Sequence, residues 1–268
     1  MIHSRIHRFL HSERPNEAMH IARIILGMVY FLAYVFYLPN AHDVFFYFSP
    51  DRINLMKEPA MFYSLYSLLL ISALSLTLGY QIRVAGALVI AGHFLFHSLN
   101  PRAFWGWAYL INIFTVYVVL HSGSNRLSLS SLFSNSKEIR QGGSGLPVLL
   151  FKIHIALFYF YTGFVRLSDP AWLSGDATAI AMLFYGRFEA SSFVVEYDGF
   201  LRLASYLALV FEIGAIVFLF LKRTRVFWAL GLITMHLILE AITQVGWWGF
   251  VMTAGLIQFF PAAWFRRR

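Results

Sequence analysis

Long apolar runs separated by short polar breaks dominate this chain. Eight of them approach the roughly 20 residues that a helix needs to cross a bilayer: 19–40, 60–79, 83–99, 105–121, 146–167, 199–221, 225–242 and 245–264. The pattern predicts an all-α polytopic bundle of about eight membrane helices. The breaks are tight, at Gly79-Tyr80, Asn100-Pro101 and Lys222-Arg223. A proline biases the residue before it away from helix, so Asn100-Pro101 reads as a turn between two helices. Residues 168–198 contain AWLSGDATAIAMLFYGRF, which is too short to span and predicts an interfacial or re-entrant helix.

Composition agrees with a membrane class. The 268 residues are 59% hydrophobic and only 13% charged, whereas a soluble domain is about a quarter charged. No cysteine is present, so disulfides, thiolate catalysis and Cys-ligated zinc are excluded. The net charge of +8 reads as topology, with no role for nucleic acid. With residues 1–18 cytoplasmic, fifteen of the 21 Lys and Arg fall on the inner side, including Arg23, Lys152, Lys222, Arg223, Arg225 and Arg266 to Arg268. The other six are Arg52, Lys57, Arg102, Arg166, Arg187 and Arg202. That asymmetry predicts cytoplasmic N- and C-termini. The first apolar run reads as a retained helix, too long for a signal-peptide core. The chain reads as a single membrane domain, 1–268. It has a flexible cytoplasmic loop at 122–145, an aromatic outer segment at 41–59 and an extracytoplasmic loop at 168–198.

Ionisable residues at membrane depth default to functional candidates. His93 and His97 share one helix face toward the outer end of their run. They fit hydrogen bonding to a neighbouring helix, a catalytic or ligand-binding role, or two ligands of a metal site that lacks its third. His236 and Glu240 share the same spacing and lie near the same side. Arg166 ends the fifth run on that side, with Asp169 after it. Two arrangements satisfy these groups: a shared polar cavity in the outer leaflet, or a snorkelling Arg166 paired with Asp169. His154 and Glu212 sit at matched distances from the inner ends of adjacent runs, which predicts a buried pair or a proton relay.

The stretch YFYTGFVRLSDPAWLSGDA around Arg166 resembles the signature of the vitamin K-dependent gamma-carboxylase-like family, also called the HTTM domain family. Gly163, Arg166, Leu167, Asp169, Trp172 and Gly175 follow the family order. MHLILEAITQVGWWGFVM resembles its late helix through His236, Gly246, Trp247 and Phe250, and HSLNPRAFWGWAYLINIFTVY its Asn-containing turn. The resemblance covers the membrane part of the carboxylases without their large lumenal domain. It departs where the chemistry is most demanding. The carboxylases carry a base lysine where this chain has Arg166, preceded by Val165. Arginine stays protonated, so it cannot serve as that base, but it can hold a carboxylate, phosphate or quinone oxygen. The family Asn one turn beyond His236 is Leu239, and residues 102–105 offer no counterpart to the family's other histidine.

The resemblance therefore implies a membrane oxidoreductase or transferase of carboxylase-like type, with an outward-facing polar pocket for a quinol- or lipid-like ligand, including a vitamin K-like hydroquinone, and a secreted peptide to be modified or matured. It does not imply true gamma-carboxylation. His93, His97 and His236 are the acid/base candidates. Arg166 is the anion clamp, with Asp169, Trp172 and Glu240 beside it. Asp169 is expected to orient the guanidinium, Pro170 to stop the helix, Trp172 to anchor at headgroup level, and residues 171–187 to fold back as a lid or interfacial helix. The alternative is a non-catalytic lipid- or quinone-binding subunit, or an assembly subunit of a membrane complex. In either case the expected setting is a bilayer, such as a bacterial inner membrane.

Overall fold

A computed structural model describes residues 17–46, 58–104, 106–121, 127–129, 144–186, 193–194, 196–243 and 246–265. The described residues form helices and short 3-10 turns, with one isolated bridge between Gly186 and Thr243. Six stretches are long and apolar enough to cross a membrane: Glu17–Phe46, Pro59–Leu78, Ile82–Leu99, Gly145–Arg166, Asp198–Phe218 and Arg225–Ile242. The other two expected spans are helical but short, at Trp107–His121 and Trp248–Phe259. The first follows the 3-10 turn Pro101–Ala103 and the second follows Gly246 at φ +78°. Most of the expected 122–145 loop and the core of the 41–59 segment lie outside the described residues.

The chain divides into two compact units, residues 1–150 with 262–268, and residues 151–261. The first contains α1 (Glu17–Tyr37), α2 (Ala41–Phe46), α3 (Pro59–Leu78), α4 (Ile82–Leu99) and α5 (Trp107–His121). Here α1 packs on α3 and α5, and α4 on α3 and α5. The core is aromatic: the Tyr34 ring meets Phe45, Tyr66, His93, Phe96 and Phe104 at centroid distances of 5.4–6.1 Å. Offset and edge-on rings fill space well and add to the apolar burial.

Two turns fix this unit. Gly79 closes α3 at φ +73°, and a Cβ there would meet Ser128 Cβ at 2.6 Å and Arg23 Cζ at 3.0 Å. Arg23 is 1% exposed. It donates to the carbonyls of Leu76 and Thr77 at 2.5 Å and of Leu127 at 2.6 Å. A residue that the charge pattern reads only as an orientation signal thus satisfies the open carbonyl end of α3. At the other turn, Asn100 Oδ1 accepts from the Arg102 N–H and its Nδ2 donates to Val44 O. The expected Asn100-Pro101 break is present.

The second unit contains most of α6 (Gly145–Arg166), then α7 (Pro170–Ser174), α8 (Ala177–Tyr185), α9 (Asp198–Phe218), α10 (Arg225–Ile242) and α11 (Trp248–Leu256). α9 packs on α7, α8 and α10, and α10 on α11. Trp228 Nε1 donates to Phe211 O at 2.8 Å and ties α10 to α9.

Candidate functional site

α6 ends at Arg166, opposite the body of α9, and residues 167–170 that follow are exposed. The register along α9 shows this. A Cβ on Gly163 would lie 3.0 Å from both Glu212 Cβ and Ile213 N, so only glycine allows this approach. Further on, Leu173 O accepts from the Tyr206 hydroxyl, the Thr178 N–H donates to Ser205 Oγ, and Met182 packs with Leu201. Residues 163–182 therefore run antiparallel along α9, interrupted at 167–169 and at Gly175-Asp176. Glu212 lies about 21 Å from the start of α9 and about 9 Å from its end, at 1.5 Å per residue. The end of α6 thus faces the body of a membrane-length helix.

The break has a local cause. Asp169 Oδ1 accepts from the Ala171 N–H and caps α7, with Pro170 in its first turn. Pro is favoured there because that N–H needs no helical partner. So Pro170 opens the next helix, while α6 has already ended at Arg166. Asp169 is occupied as a cap, and Glu212 takes the role expected of it. Arg166 Nη1 is salt-bridged to Glu212 Oε1. The Arg166 guanidinium stacks 4.0 Å from the Trp172 ring centroid, so Trp172 packs on the cation. The short segment expected at 171–187 is helical, as α7 and α8, and it packs along α9.

Tyr159, Gly163 and Arg166 form one stripe of α6, at helical spacings of four and three. Tyr159 is buried beside His236 of α10, with ring centroids 5.7 Å apart, and Trp248 of α11 lies 6.5 Å from His236. Among the described residues, Tyr159 Oη, Glu212 Oε2 and both ring nitrogens of His236 are buried without a hydrogen-bond partner. An unsatisfied buried polar group costs about 1–3 kcal/mol. Several converging around one ion pair form a set of donors and acceptors for a further molecule. The ion pair leaves the set without net charge, so it suits a neutral, oxygen-bearing group better than an anion. Glu240 is engaged differently: its Oε2 accepts from the Gly249 N–H at 3.0 Å, at the positive start of α11.

The expected contact of His154 with Glu212 is not made. Glu212 is level with Gly163, and His154 lies nine residues earlier on α6, about 13 Å away along the axis. Counting from helix ends misplaces it because α6 and α9 are staggered.

His93 and His97 lie in the first unit. Their rings stack at 6.3 Å and 17°, as their spacing on α4 predicts. His93 Nδ1 is 2.9 Å from the Tyr34 hydroxyl, inside a cage of Tyr30, Phe104 and Trp107. Both His97 ring nitrogens are buried without a partner among the described residues. No group of three or more His, Asp or Glu that could hold a metal occurs among the described residues.

Tyr159 and the partner of Glu212 are hard to see in the sequence. Glu212 stands out as an ionisable residue, but its partner does not. Tyr159 is hidden because FYFYTGF offers four aromatic residues in a row with no mark of orientation. Only the stripe through Gly163 and Arg166 separates buried Tyr159 from Tyr161, which is 68% exposed.

The HTTM domain family model matches residues 13–264. No curated protein and no solved structure matches the chain.

Proposed function

The chain belongs to the HTTM domain family of multi-pass membrane proteins, and on that premise we propose that it binds a neutral quinol- or lipid-like headgroup at the Arg166–Glu212–Tyr159–His236 cluster. The observation that carries this reading is the convergence of unpartnered buried polar atoms on Tyr159, Glu212 and His236 around a charge-neutral ion pair. A hydroquinone fits that chemistry. Its hydroxyls donate to Glu212 Oε2 or a ring nitrogen of His236, and its oxygens accept from Tyr159 Oη. Its ring has Trp248 and Trp172 as aromatic neighbours. A bound quinol would supply the redox chemistry. From this chain, His236 is the group placed to take or return a proton, and Arg166 with Glu212 holds the polar floor.

The same reading sets gamma-carboxylation aside. The position of the family's base lysine holds Arg166, which stays charged and is committed to Glu212. A secreted peptide is the substrate class that the family resemblance suggests, and His93 and His97 remain acid/base candidates of the first unit. In this proposal the pocket opens along α7 and α8 to the extracytoplasmic side, the termini are cytoplasmic, and the membrane is a bacterial inner membrane. The commitment of Arg166 to Glu212 also favours a second reading, a quinone- or lipid-binding subunit without catalysis.

The test is purification in mild detergent followed by mass spectrometry of co-purifying small molecules. The proposal expects a quinone or related neutral lipid in the parent and its loss in His236→Leu. Equal content in both would refute it. Appearance of a mass-shifted co-expressed secreted peptide would separate the catalytic reading from the non-catalytic one.

A further inference from the structure

At the other end of the second unit, Lys152 sits in α6 seven residues past its start, inside a membrane-length helix. Its Nζ lies over the Phe259 ring, 5.7 Å from the centroid. Phe220, in the turn between α9 and α10, meets the same ring edge-on at 5.7 Å. That turn carries Lys222 and Arg223, both exposed, and Arg225 begins α10. Phe259 therefore draws Lys152 toward a turn that already holds three cations. Lys152 and Arg225 are within electrostatic reach of each other. Among the described residues none of these four cations has a carboxylate partner. Arg225 Nε is buried and makes no hydrogen bond.

Like charges held together cost free energy unless an anion sits between them. Thr224 does not relieve this end, because its hydroxyl is turned to Phe218 O and leaves the start of α10 without a side-chain cap. The positive end of an 18-residue helix thus adds to the same field. Phe220 and Leu221, both about half exposed, give the cations an apolar border suited to acyl chains.

We propose that Lys152, Arg225 and the Lys222-Arg223 turn bind the phosphate of an anionic phospholipid headgroup, with its chains lying against Phe220 and Leu221. Anionic lipids enrich the cytoplasmic leaflet and attract basic groups there, so the site falls on the side that the charge asymmetry makes cytoplasmic. It is separate from the Arg166 cluster, and either can fail without the other.

The experiment is native mass spectrometry of the full chain with short-chain phosphatidylglycerol or phosphatidylcholine, repeated with excess inorganic phosphate. The parent should retain phosphatidylglycerol at least tenfold over phosphatidylcholine. Arg225→Gln should weaken retention about fivefold, and Lys152→Gln/Arg225→Gln about 25-fold, at roughly one factor of five per charge. Lys152→Arg should keep it. Equal retention of the two lipids by the parent would overturn the proposal, as would unchanged retention by the double variant. Displacement by millimolar inorganic phosphate would also overturn it, reassigning the site to the free anion. Should the double variant not fold, Arg225→Gln alone carries the comparison, since it sits at a helix start.

Discussion

Breaking the Arg166–Glu212 pair from either side should cost different amounts, and removing both should cost less than the sum. The Glu212 side chain is 3% exposed and that of Arg166 29%. Arg166→Met leaves a carboxylate buried with no cation, and a stranded buried charge costs about 3–5 kcal/mol. Glu212→Leu leaves a guanidinium that reaches solvent or the Trp172 face, so it should cost less, about 1–3 kcal/mol. The double variant removes both charges and their desolvation, and apolar replacement of a buried pair is often near neutral. The coupling energy should therefore be about 2 kcal/mol or more, within the span seen for contacting residues. Unfolding in mixed micelles with increasing anionic detergent, followed by tryptophan fluorescence, measures all four corners of the cycle. Additivity within about 0.5 kcal/mol would refute the contact. A parallel cycle between His154→Ala and Glu212→Leu should be additive, since Glu212 is level with Gly163, about 13 Å along α6 from His154.

Three further outcomes follow from the same geometry. Gly163→Val should destabilise by about 1–3 kcal/mol through overpacking on the α9 backbone, while Gly199→Ala, where an added Cβ would meet nothing within 4 Å, should be neutral or mildly stabilising in the same unfolding assay. Arg23→Met should cost about 1.5–3 kcal/mol by stranding the Leu76 and Thr77 carbonyls, read by the same unfolding curve. Single cysteines at Lys222 and Asp176, in a chain that has none, should report opposite sides to an impermeant thiol reagent in intact cells. Labelling at 222 and protection at 176 would reverse the orientation.

The positions of the helices were legible because each apolar run is bounded by residues that physically end a helix, such as Gly79 at positive φ and Asn100-Pro101. Six of the eight runs keep membrane length. The stagger between runs was not legible. Nothing local to Arg166 says that it faces the body of α9. That is decided by Gly163, whose missing side chain lets α6 approach Glu212, and a glycine in sequence does not name what it approaches. The same long-range packing moves Glu212 from His154 to Arg166 and releases Asp169 to cap α7. The ingredients of the candidate site were visible as ionisable residues in apolar helices. Their pairing was not, because helix ends are poor depth markers when neighbouring helices are staggered.

The central claim is that the unpartnered atoms of Tyr159, Glu212 and His236 hold a neutral oxygen-bearing ring. Quenching of tryptophan fluorescence by a short-chain quinone, titrated into purified parent, Tyr159→Phe/His236→Leu and Arg166→Lys, tests it most directly. Trp172 and Trp248 lie at the site as reporters. The account predicts saturable quenching in the parent, weakening by about tenfold or more in the double variant from the loss of two hydrogen bonds, and a smaller loss in Arg166→Lys, where the stacked planar fork is gone but the charge remains. Superimposable titrations for the parent and the double variant would contradict it.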